Sequence, residues 1–413
     1  MKKICLTLVG IYIMFFASFG QQQYRTDTVE YKSTILKLDE VNLVSGYYQQ
    51  DGNHSAVTGG IGTQKLHDFS NVLELKFVKW DEDDNKYSFS LEAGIDTHTA
   101  ASQKYISKTG ASSPHGTRFY PSFNWSVENT HKASFGFGAS YSTEFNYHSY
   151  GINVTAGKRS KNDNREISFK AQAFFDRVTL IEPSEFVPKT TVTTVTSASG
   201  STRSSGGSSS IPKSPRNTYS GSLTLSQVVN KNFQVALIGD IVAQKGLLSL
   251  PFHRVYFNYP SQDSDRIEKL PDTRIKIPVA ARMNYFVGSK MILRAYYRYY
   301  TDNWGIRSHT ASLEVPYKVT PFISISPFYR YYNQTAADYF APYKEHLLTD
   351  KYYTSNYDLS KFSSQYYGVN VKITPKNGVL KMPFFNTIEL RYGHYVQTTS
   401  LQADNIAVSF RFK

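Results

Sequence analysis

Alternation of apolar and polar residues along short segments constrains the fold of this chain more than any other feature. In residues 291–334, for example, Leu293 and Ala295 alternate with Arg294 and Tyr296. Side chains on a β-strand point to opposite faces with a period of two, so such a segment has one apolar and one polar face. A helix would scatter the arginines around its circumference, so the pattern predicts strands. A soluble sandwich would bury the apolar face, whereas a membrane barrel would turn it to lipid.

Segments with this alternation recur along most of the chain, and we predict about 16 antiparallel strands from them. They lie at 40–49, 69–80, 86–98, 116–128, 132–143, 146–158, 165–178, 216–229, 233–245, 273–287, 290–302, 307–319, 322–334, 363–374, 384–397 and 402–412.

The connections between these segments differ in length in a regular way. Short ones, rich in Asn, Asp, Gly and Pro, supply turn dihedrals; they are 81–85, 129–131, 159–164, 230–232, 288–289, 320–321 and 375–383. Most of the others are long: 50–68, 99–115, 179–215, 246–272 and 335–362. Short turns at one end and long loops at the other are typical of a transmembrane β-barrel with short periplasmic turns and long extracellular loops. We therefore predict an all-β protein with a single barrel domain over residues 40–413.

The composition agrees with a barrel and excludes one other class of membrane protein. The mean hydropathy is −0.41, too low for a polytopic helical membrane protein, and the chain has 32 Tyr and 27 Phe against 3 Trp. Strands that are apolar on one face only average out as polar, and their interfaces with lipid are rich in aromatic residues.

The first 20 residues have the pattern of a secretory signal peptide. Lys2 and Lys3 precede an apolar run, and Ser18 and Gly20 are small residues near the expected cleavage site. A membrane anchor is the alternative, but a run of about 15 apolar residues is short for one. We predict cleavage after residue 20, a periplasmic N-terminal segment at 21–39, and the outer membrane of a Gram-negative bacterium as the destination. The single cysteine, Cys5, leaves with the signal, which excludes disulfides and thiolate chemistry.

Two further stretches concern assembly and loops. The last strand, residues 404–413, places Ile406, Val408, Phe410 and Phe412 on one face at the end of the chain, which resembles the signal read by barrel-assembly machinery, although Lys413 follows Phe412. An ordinary edge strand is the alternative. The Ser/Thr-rich tract at 190–210 cannot bury a core and is predicted to be part of a long external loop. Outer-membrane lipid and the assembly machinery are therefore the expected partners.

Charged residues on the predicted inward face are concentrated on four consecutive strands. The predicted lumen-lining basic arc consists of Arg274, Lys276, Arg282, Arg294, Arg298 and Arg330, with Glu314 and Glu389 as counter-charges. One interpretation is a set of mutually compensating ion pairs that fixes the register of the strands. The other is a basic wall that favours anionic solutes. The arginines are distributed on one face of their strands, which indicates that they line a lumen. We therefore expect no nucleic-acid partner.

No motif for catalysis or for a cofactor is apparent. The sequence lacks a nucleophile elbow, a phosphate loop, zinc-ligand spacing and HExxH. Ser308 and His309 are adjacent in one strand and therefore point to opposite faces, so they cannot act as nucleophile and base. The acidic run at 81–84 is expected to cap a hairpin rather than bind a cation. We therefore predict no enzyme activity, no metal site and no cofactor.

Several motifs resemble the outer-membrane family known as domain of unknown function 3570. They are YYQQDGNHSAVTGGIGTQKL at 47–66, DTHTAAS at 96–102, QKGLLSLPFHRVYF at 244–257, YRYYTDNWGIRSHT at 297–310 and QTAADYFAPY at 334–343. The resemblance implies an outer-membrane β-barrel, common in Bacteroidota-type bacteria, and no established activity. Within these motifs, the glycines at 59–62 are expected to let a loop fold back. Trp304, in a tight turn, is expected to be an interfacial or exposed anchor.

Two functions are compatible with these features. The first is a porin-like channel for small solutes, with anions as the preferred class if the basic arc is free. The second is a non-conducting outer-membrane module that anchors or docks a partner through its loops. An outer-membrane enzyme is a third hypothesis and would need polar residues that cluster only in the folded chain.

Overall fold

A computed structural model of the 413-residue chain describes residues 32–99, 116–144, 147–179, 213–250, 252–258 and 265–413. The predicted signal peptide, the tract at 190–210 and the end of the 96–102 motif lie outside these residues. The strands are β1 Lys37–Asp51, β2 Leu66–Trp80, β3 Lys86–His98, β4 Gly116–Glu128, β5 Ala133–Glu144, β6 Tyr147–Arg159, β7 Arg165–Thr179, β8 Lys213–Asn230, β9 Phe233–Gly246, β10 Arg254–Tyr256, β11 Asp265–Ile267, β12 Thr273–Val287, β13 Met291–Asp302, β14 Arg307–Glu314, β15 Tyr317–Lys318, β16 Ile323–Gln334, β17 Phe362–Ile373, β18 Phe385–Gln397 and β19 Gln402–Phe412.

The strands form one closed antiparallel barrel of 16 strand positions, as the alternation predicts. Strand β1 pairs with both β2 and β19, and β9 pairs with β12, which closes the ring. Closure leaves no unpaired edge, which is the condition for placing β-structure in lipid. The short strands β10 and β11 pair only with each other and lie outside the wall.

One wall position is interrupted where the sequence predicts a continuous strand at 307–319. Strands β14 and β15 occupy the same position between β13 and β16 but are separated by Val315 and Pro316. Pro316 has no N–H to donate to the ladder, which explains the break.

The two faces of the wall differ as the parity predicts. Large apolar side chains on the outer face are exposed, among them Leu223 at 54%, Leu237 at 54% and Ile241 at 56%. A contiguous apolar surface of this extent is typical of the lipid-facing band of a membrane barrel. Ser308 is buried on the inner face and His309 is exposed on the outer face, as expected for neighbours in one strand.

Three short 3₁₀ helices occur in the described part of the chain, at Ala56–Thr58, Tyr357–Leu359 and Val379–Lys381. None of the helices in this part of the chain is long and apolar enough to cross a membrane.

The short turns are hairpin connections stabilised by their own side chains. Asp81 accepts hydrogen bonds from the backbone N–H groups of Asp83 and Asn85 and from the hydroxyl of Tyr87. The side-chain hydrogen bond from Asn85 contributes most to lowering the pKa of the Asp81 carboxyl. The acidic run therefore caps the β2–β3 hairpin, as predicted.

Candidate functional site: the lumen and the cap at its mouth

Three of the long connections pack together at one end of the barrel. We call the described residues of 52–65, 247–272 and 335–361 the cap. Isolated β-bridges join Phe257 to His346 and Lys269 to Tyr353. Val255, Phe257 and Tyr353 form a small buried cluster, with the rings of Phe257 and Tyr353 4.9 Å apart and edge to face. The cap is therefore a packed unit with a core of its own, whereas the sequence predicted only loops here.

The cap extends across the mouth of the barrel. Connection 247–272 joins β9 to β12, and 52–65 joins β1 to β2, on opposite sides of the ring of strands. Tyr256 lies so close to Gly59 that a Cβ at Gly59 would clash with its ring, and Gly59 has a φ of 80°. Tyr256 also contacts the ring of Tyr343, 4.9 Å away. The glycines at 59–62 thus let the loop fold back, as predicted, and permit this close approach.

A buried carboxylate holds the cap connections together. Glu268 accepts hydrogen bonds from the Thr354 hydroxyl at 2.6 Å and from the backbone N–H of Leu250 at 2.9 Å. His253 lies 3.5 Å from the same carboxylate. Because Glu268 and Thr354 come from different connections, this bond fixes one against the other.

A second polar residue in the cap is constrained by its partners. Nδ1 of His346 lies 3.0 Å from a carboxylate oxygen of Asp350, and Nε2 lies 2.9 Å from the backbone carbonyl of Thr354. Both partners are acceptors, so His346 satisfies both only when each ring nitrogen carries a proton. Asp350 and Thr354 therefore constrain His346 from both sides of its ring.

A repeated Tyr-x-Gln motif lines the lumen below the cap. In β1, β16 and β18 a tyrosine hydroxyl donates to the glutamine two residues further on: Tyr48 to Gln50 at 2.8 Å, Tyr332 to Gln334 at 2.6 Å and Tyr395 to Gln397 at 2.9 Å. Residues i and i+2 share a face of a strand, which makes this contact possible. The Tyr-x-Gln spacing is visible in the sequence, but only the barrel shows that the three pairs face one lumen.

Two of these glutamines tether the cap to the wall. Gln334 donates to the backbone carbonyls of Asp358, at 3.0 Å, and Ser360, at 2.6 Å. Gln50 donates to the carbonyl of Gln64 at 2.8 Å. Orienting the glutamine oxygen toward the tyrosine leaves its amide N–H₂ free to hold the loop.

Asp358 projects from the cap into the enclosed space of the mouth. The Asp358 side chain is accessible to solvent, although protein atoms surround the space around it. It interacts electrostatically with Tyr48 and Tyr395 on the wall. Desolvation by this surrounding protein raises the pKa of the Asp358 carboxyl, opposed by His253 and by a hydrogen bond with Asn356.

Trp304 corrects one expectation from the sequence. The tight turn forms, with Gly305 at a φ of 85°, but Trp304 is 2% exposed and is not an interfacial or exposed anchor. Its indole N–H donates to the carbonyl of Thr273 at 3.0 Å, and the guanidinium of Arg274 lies 4.4 Å above its ring. Asp302 accepts hydrogen bonds from the backbone N–H groups of Trp304 and Ile306, which stabilises the turn. The turn residues predicted an exposed Trp304 side chain, but this side chain packs against the wall and is buried.

The predicted basic arc lies on the inner face of β12, β13 and β16, and two of its six members are paired with a carboxylate in the described part of the chain. Arg274 donates to Asp302 at 2.9 Å, and Arg294 donates to Glu314 at 2.9 Å. Arg330 lies 4.9 Å from the ring centre of Tyr366. The two ion pairs favour the ion-pair interpretation for Arg274 and Arg294.

Other members have no ion pair within the described residues. Nε of Arg298 is buried without a hydrogen-bond partner there. The side chains of Lys276 and Arg282 likewise make no hydrogen bond or ion pair in the ranges that the structure describes. The counter-charge Glu389 accepts from Asn370 at 2.7 Å rather than from an arginine. The arc is thus partly compensated and partly free.

Sequence reasoning missed Arg391, which joins the arc from β18. It lies 3.9 Å from Glu314 and 4.2 Å from the ring centre of Phe328. Arg391 is two residues after Glu389 in the same strand, so the sequence could have placed it on the inner face. Its approach to Glu314 on β14 follows only from the curvature of the wall.

The chain is similar to one protein family and to several solved structures. The family described as "Protein of unknown function (DUF3570)" matches residues 87–402. No curated protein matches the chain significantly. A BenF-like porin from Pseudomonas fluorescens Pf-5 is 8% identical, with a TM-score of 0.42 over 91% of this chain and 98% of that one.

Two further solved structures are similar to the same extent. OccD3 (OpdP) from Pseudomonas aeruginosa is 9% identical, with a TM-score of 0.43 over 90% of this chain and 91% of that one. A mutant of the ferric enterobactin receptor PfeA from Pseudomonas aeruginosa is 9% identical, with a TM-score of 0.43 over 89% of this chain and 54% of that one. At such identities and scores the resemblance assigns neither a solute nor a mechanism.

Proposed function

Since the chain belongs to this family of unknown function, we propose from the lumen itself that it is a porin-like channel for small hydrophilic solutes in the outer membrane. The observation that carries the proposal is a closed barrel of 16 strand positions whose inner face is polar. Inward-facing Arg282, Arg294 and Arg330 are solvent-exposed, as residues lining an aqueous space are. Barrels of this size typically leave an aqueous channel when loops do not fill it.

The finer part of the proposal concerns charge. Arg282 and Arg298 are not neutralised by a carboxylate among the described residues, and Arg294 shares Glu314 with Arg391. Positive charge therefore exceeds negative charge on this wall, which favours anions over cations in the lumen. Residues 1–20 would direct export as a cleaved signal, and assembly machinery would insert the barrel into outer-membrane lipid.

Conductance in planar bilayers tests the proposal. Purified protein should form ion-conducting pores, and the reversal potential in a potassium chloride gradient should show a preference for chloride. The double variant Arg294→Glu and Arg298→Glu should weaken or reverse this preference, because it inverts the charge of the wall.

A matched control changes the same number of charges outside the lumen. Lys290 and Lys376 are exposed in short turns, so Lys290→Glu with Lys376→Glu should leave the preference unchanged. Absence of conductance above background at any voltage would refute the channel. Conductance with equal selectivity in wild type and the lumen variant would refute the role of the arc.

One observation favours a second function. The cap bridges opposite sides of the mouth and has its own core, which suits a non-conducting module that docks a partner. Crosslinking in intact cells separates the two: a stoichiometric partner attached through 52–65 or 335–361, in a barrel that does not conduct, supports docking.

A further inference from the structure

A recess in the lumen wall lies near the short-turn end of β7, β8, β9 and β12. Its volume is about 200 Å³, and it is far from the cap, on strands whose opposite ends carry the long connections. The polar side chains around it are those of Glu166, Ser168, Thr224, Ser226, Gln234, Arg282 and Asn284.

Two opposite charges border the recess without neutralising each other. The side chains of Arg282 and Glu166 make no hydrogen bond and no ion pair with any residue that the structure describes, and both are exposed to the lumen. Arg294, on the adjacent strand, instead has Glu314 at 2.9 Å. The recess thus presents one free guanidinium and one free carboxylate to the solvent.

The amides between these charges are held in place by each other. Nδ2 of Asn284 donates to Oε1 of Gln234 at 3.4 Å, and Nε2 of Gln234 donates to the Ser226 hydroxyl at 3.3 Å. These two hydrogen bonds use both ends of the Gln234 amide and leave the Asn284 oxygen and the Ser226 hydroxyl hydrogen for other partners. The polar groups of the recess are therefore oriented before a solute arrives.

The size of the recess limits the solute. A volume of 200 Å³ holds roughly seven water molecules at about 30 Å³ each, which suits a small molecule and not an oligosaccharide. The backbones of β7 and β12 are three strand spacings apart, about 14 Å. Side chains of Arg282 and Glu166 reach into the recess from its two sides.

We propose that this recess is a binding subsite for small zwitterionic solutes of the amino-acid or short-peptide type. Arg282 holds the carboxylate as a charge-assisted donor, and Glu166 holds the ammonium. Gln234, Asn284 and Ser226 serve the polar atoms between them. The inference rests on the proposed channel function and specifies its solute class.

Flux through proteoliposomes with solutes of similar size tests the subsite. Glycylglycine is the zwitterion, N-acetylglycinamide the neutral analogue, N-acetylglycine the anion and glycylglycinamide the cation. Wild type should pass glycylglycine about fivefold faster than N-acetylglycinamide, the effect of a solvated charge contact. Arg282→Gln and Glu166→Gln should each reduce glycylglycine flux to the neutral level, while N-acetylglycinamide flux stays the same.

Lys170→Gln is the matched control, because Lys170 is an exposed inward residue on the strand of Glu166 and does not line the recess. It should leave the excess of glycylglycine flux intact. An excess that survives in both recess variants, or no excess in wild type, would overturn the subsite. Failure of all four solutes to pass would instead refute the channel. In that case calorimetric titration of the detergent-solubilised barrel with glycylglycine tests the subsite separately. Saturable binding that is lost in Arg282→Gln supports the subsite, and no binding overturns it.

Discussion

The wall of the barrel and the cap at its mouth are stabilised by different physical means. In the wall, backbone hydrogen bonds run from strand to strand around a closed ring, and large apolar side chains such as Leu223 face outward. In the cap, Val255, Phe257 and Tyr353 are buried among connections that lie far apart in sequence. The stability of the wall depends on the alternation of apolar and polar side chains and on the surrounding lipid. The stability of the cap depends on a few particular side chains.

This difference has a consequence for function. A wall residue can change without closing or opening the mouth, but the loss of one buried cap contact affects 52–65, 247–272 and 335–361 together. We therefore expect stability of the wall and order of the cap to be separable by mutation, and four predictions test this separation.

The largest effect is expected from Phe257→Ala. Phe257 is 0% exposed and contacts the rings of Tyr353 and His346. Removal of a buried phenylalanine ring costs about 3–5 kcal/mol, which should loosen the cap while the wall stays folded. Hydrogen exchange should show lost protection in 335–361 and unchanged protection in β1–β9. Phe322→Ala, in a short turn and exposed, is the control; loss of the wall in Phe257→Ala would contradict the separation.

The wall should respond instead to charge placed on its outer face. Leu223→Arg puts a charge into lipid near the middle of β8 and should destabilise the barrel by about 2–4 kcal/mol. Ser222→Arg, one residue earlier and facing the lumen, should have little effect on stability. Urea unfolding in lipid vesicles measures both, and equal destabilisation would contradict the assignment of the two faces.

A smaller effect is expected when the buried carboxylate of the cap is altered. Glu268→Gln replaces an acceptor of the Leu250 N–H and Thr354 hydroxyl by an amide that presents a donor on one side. An unsatisfied buried group costs about 1–3 kcal/mol, so trypsin should cleave the cap faster than in wild type. Glu345→Gln, exposed in the same connection as Thr354, should be cleaved at the wild-type rate. If Glu268→Gln were equally resistant, the carboxylate would not hold the connections together.

The smallest effect concerns pH. The raised pKa of Asp358 means that the folded cap binds this proton more tightly than the unfolded loop does. Its contribution to cap stability is fully present below the ordinary carboxyl pKa of 3.8 and is lost as pH rises through the raised value. Asp358→Asn should keep cap protection constant over this window, with a difference of at most about 1 kcal/mol because the side chain still meets water. Hydrogen exchange in wild type and variant at matched pH measures it, and a cap that becomes less protected in wild type on acidification would reverse the sign.

Most of the wall could be predicted from the sequence because period-two alternation is a local property of the chain. The parity that puts Arg282 and Arg294 on one face needs no knowledge of neighbours, and the short turns carry their own residue signals. The sequence predicted a continuous strand at 307–319 and missed the break between β14 and β15, although Pro316 has no N–H to donate to the ladder. The compensation of Arg294 and Arg391 by Glu314 could not be predicted either, because it depends on the register and curvature of strands distant in sequence.

The chain by itself determined the closed barrel, since alternation, turn lengths and the absence of long apolar runs after the first 20 residues leave few other folds. Only the tertiary structure decided that Trp304 is buried, that His346 faces two acceptors, and that Arg282 shares a recess with Glu166. These facts depend on contacts between segments that no local pattern relates. Local periodicity specifies which face a side chain takes, and long-range packing specifies what it meets there.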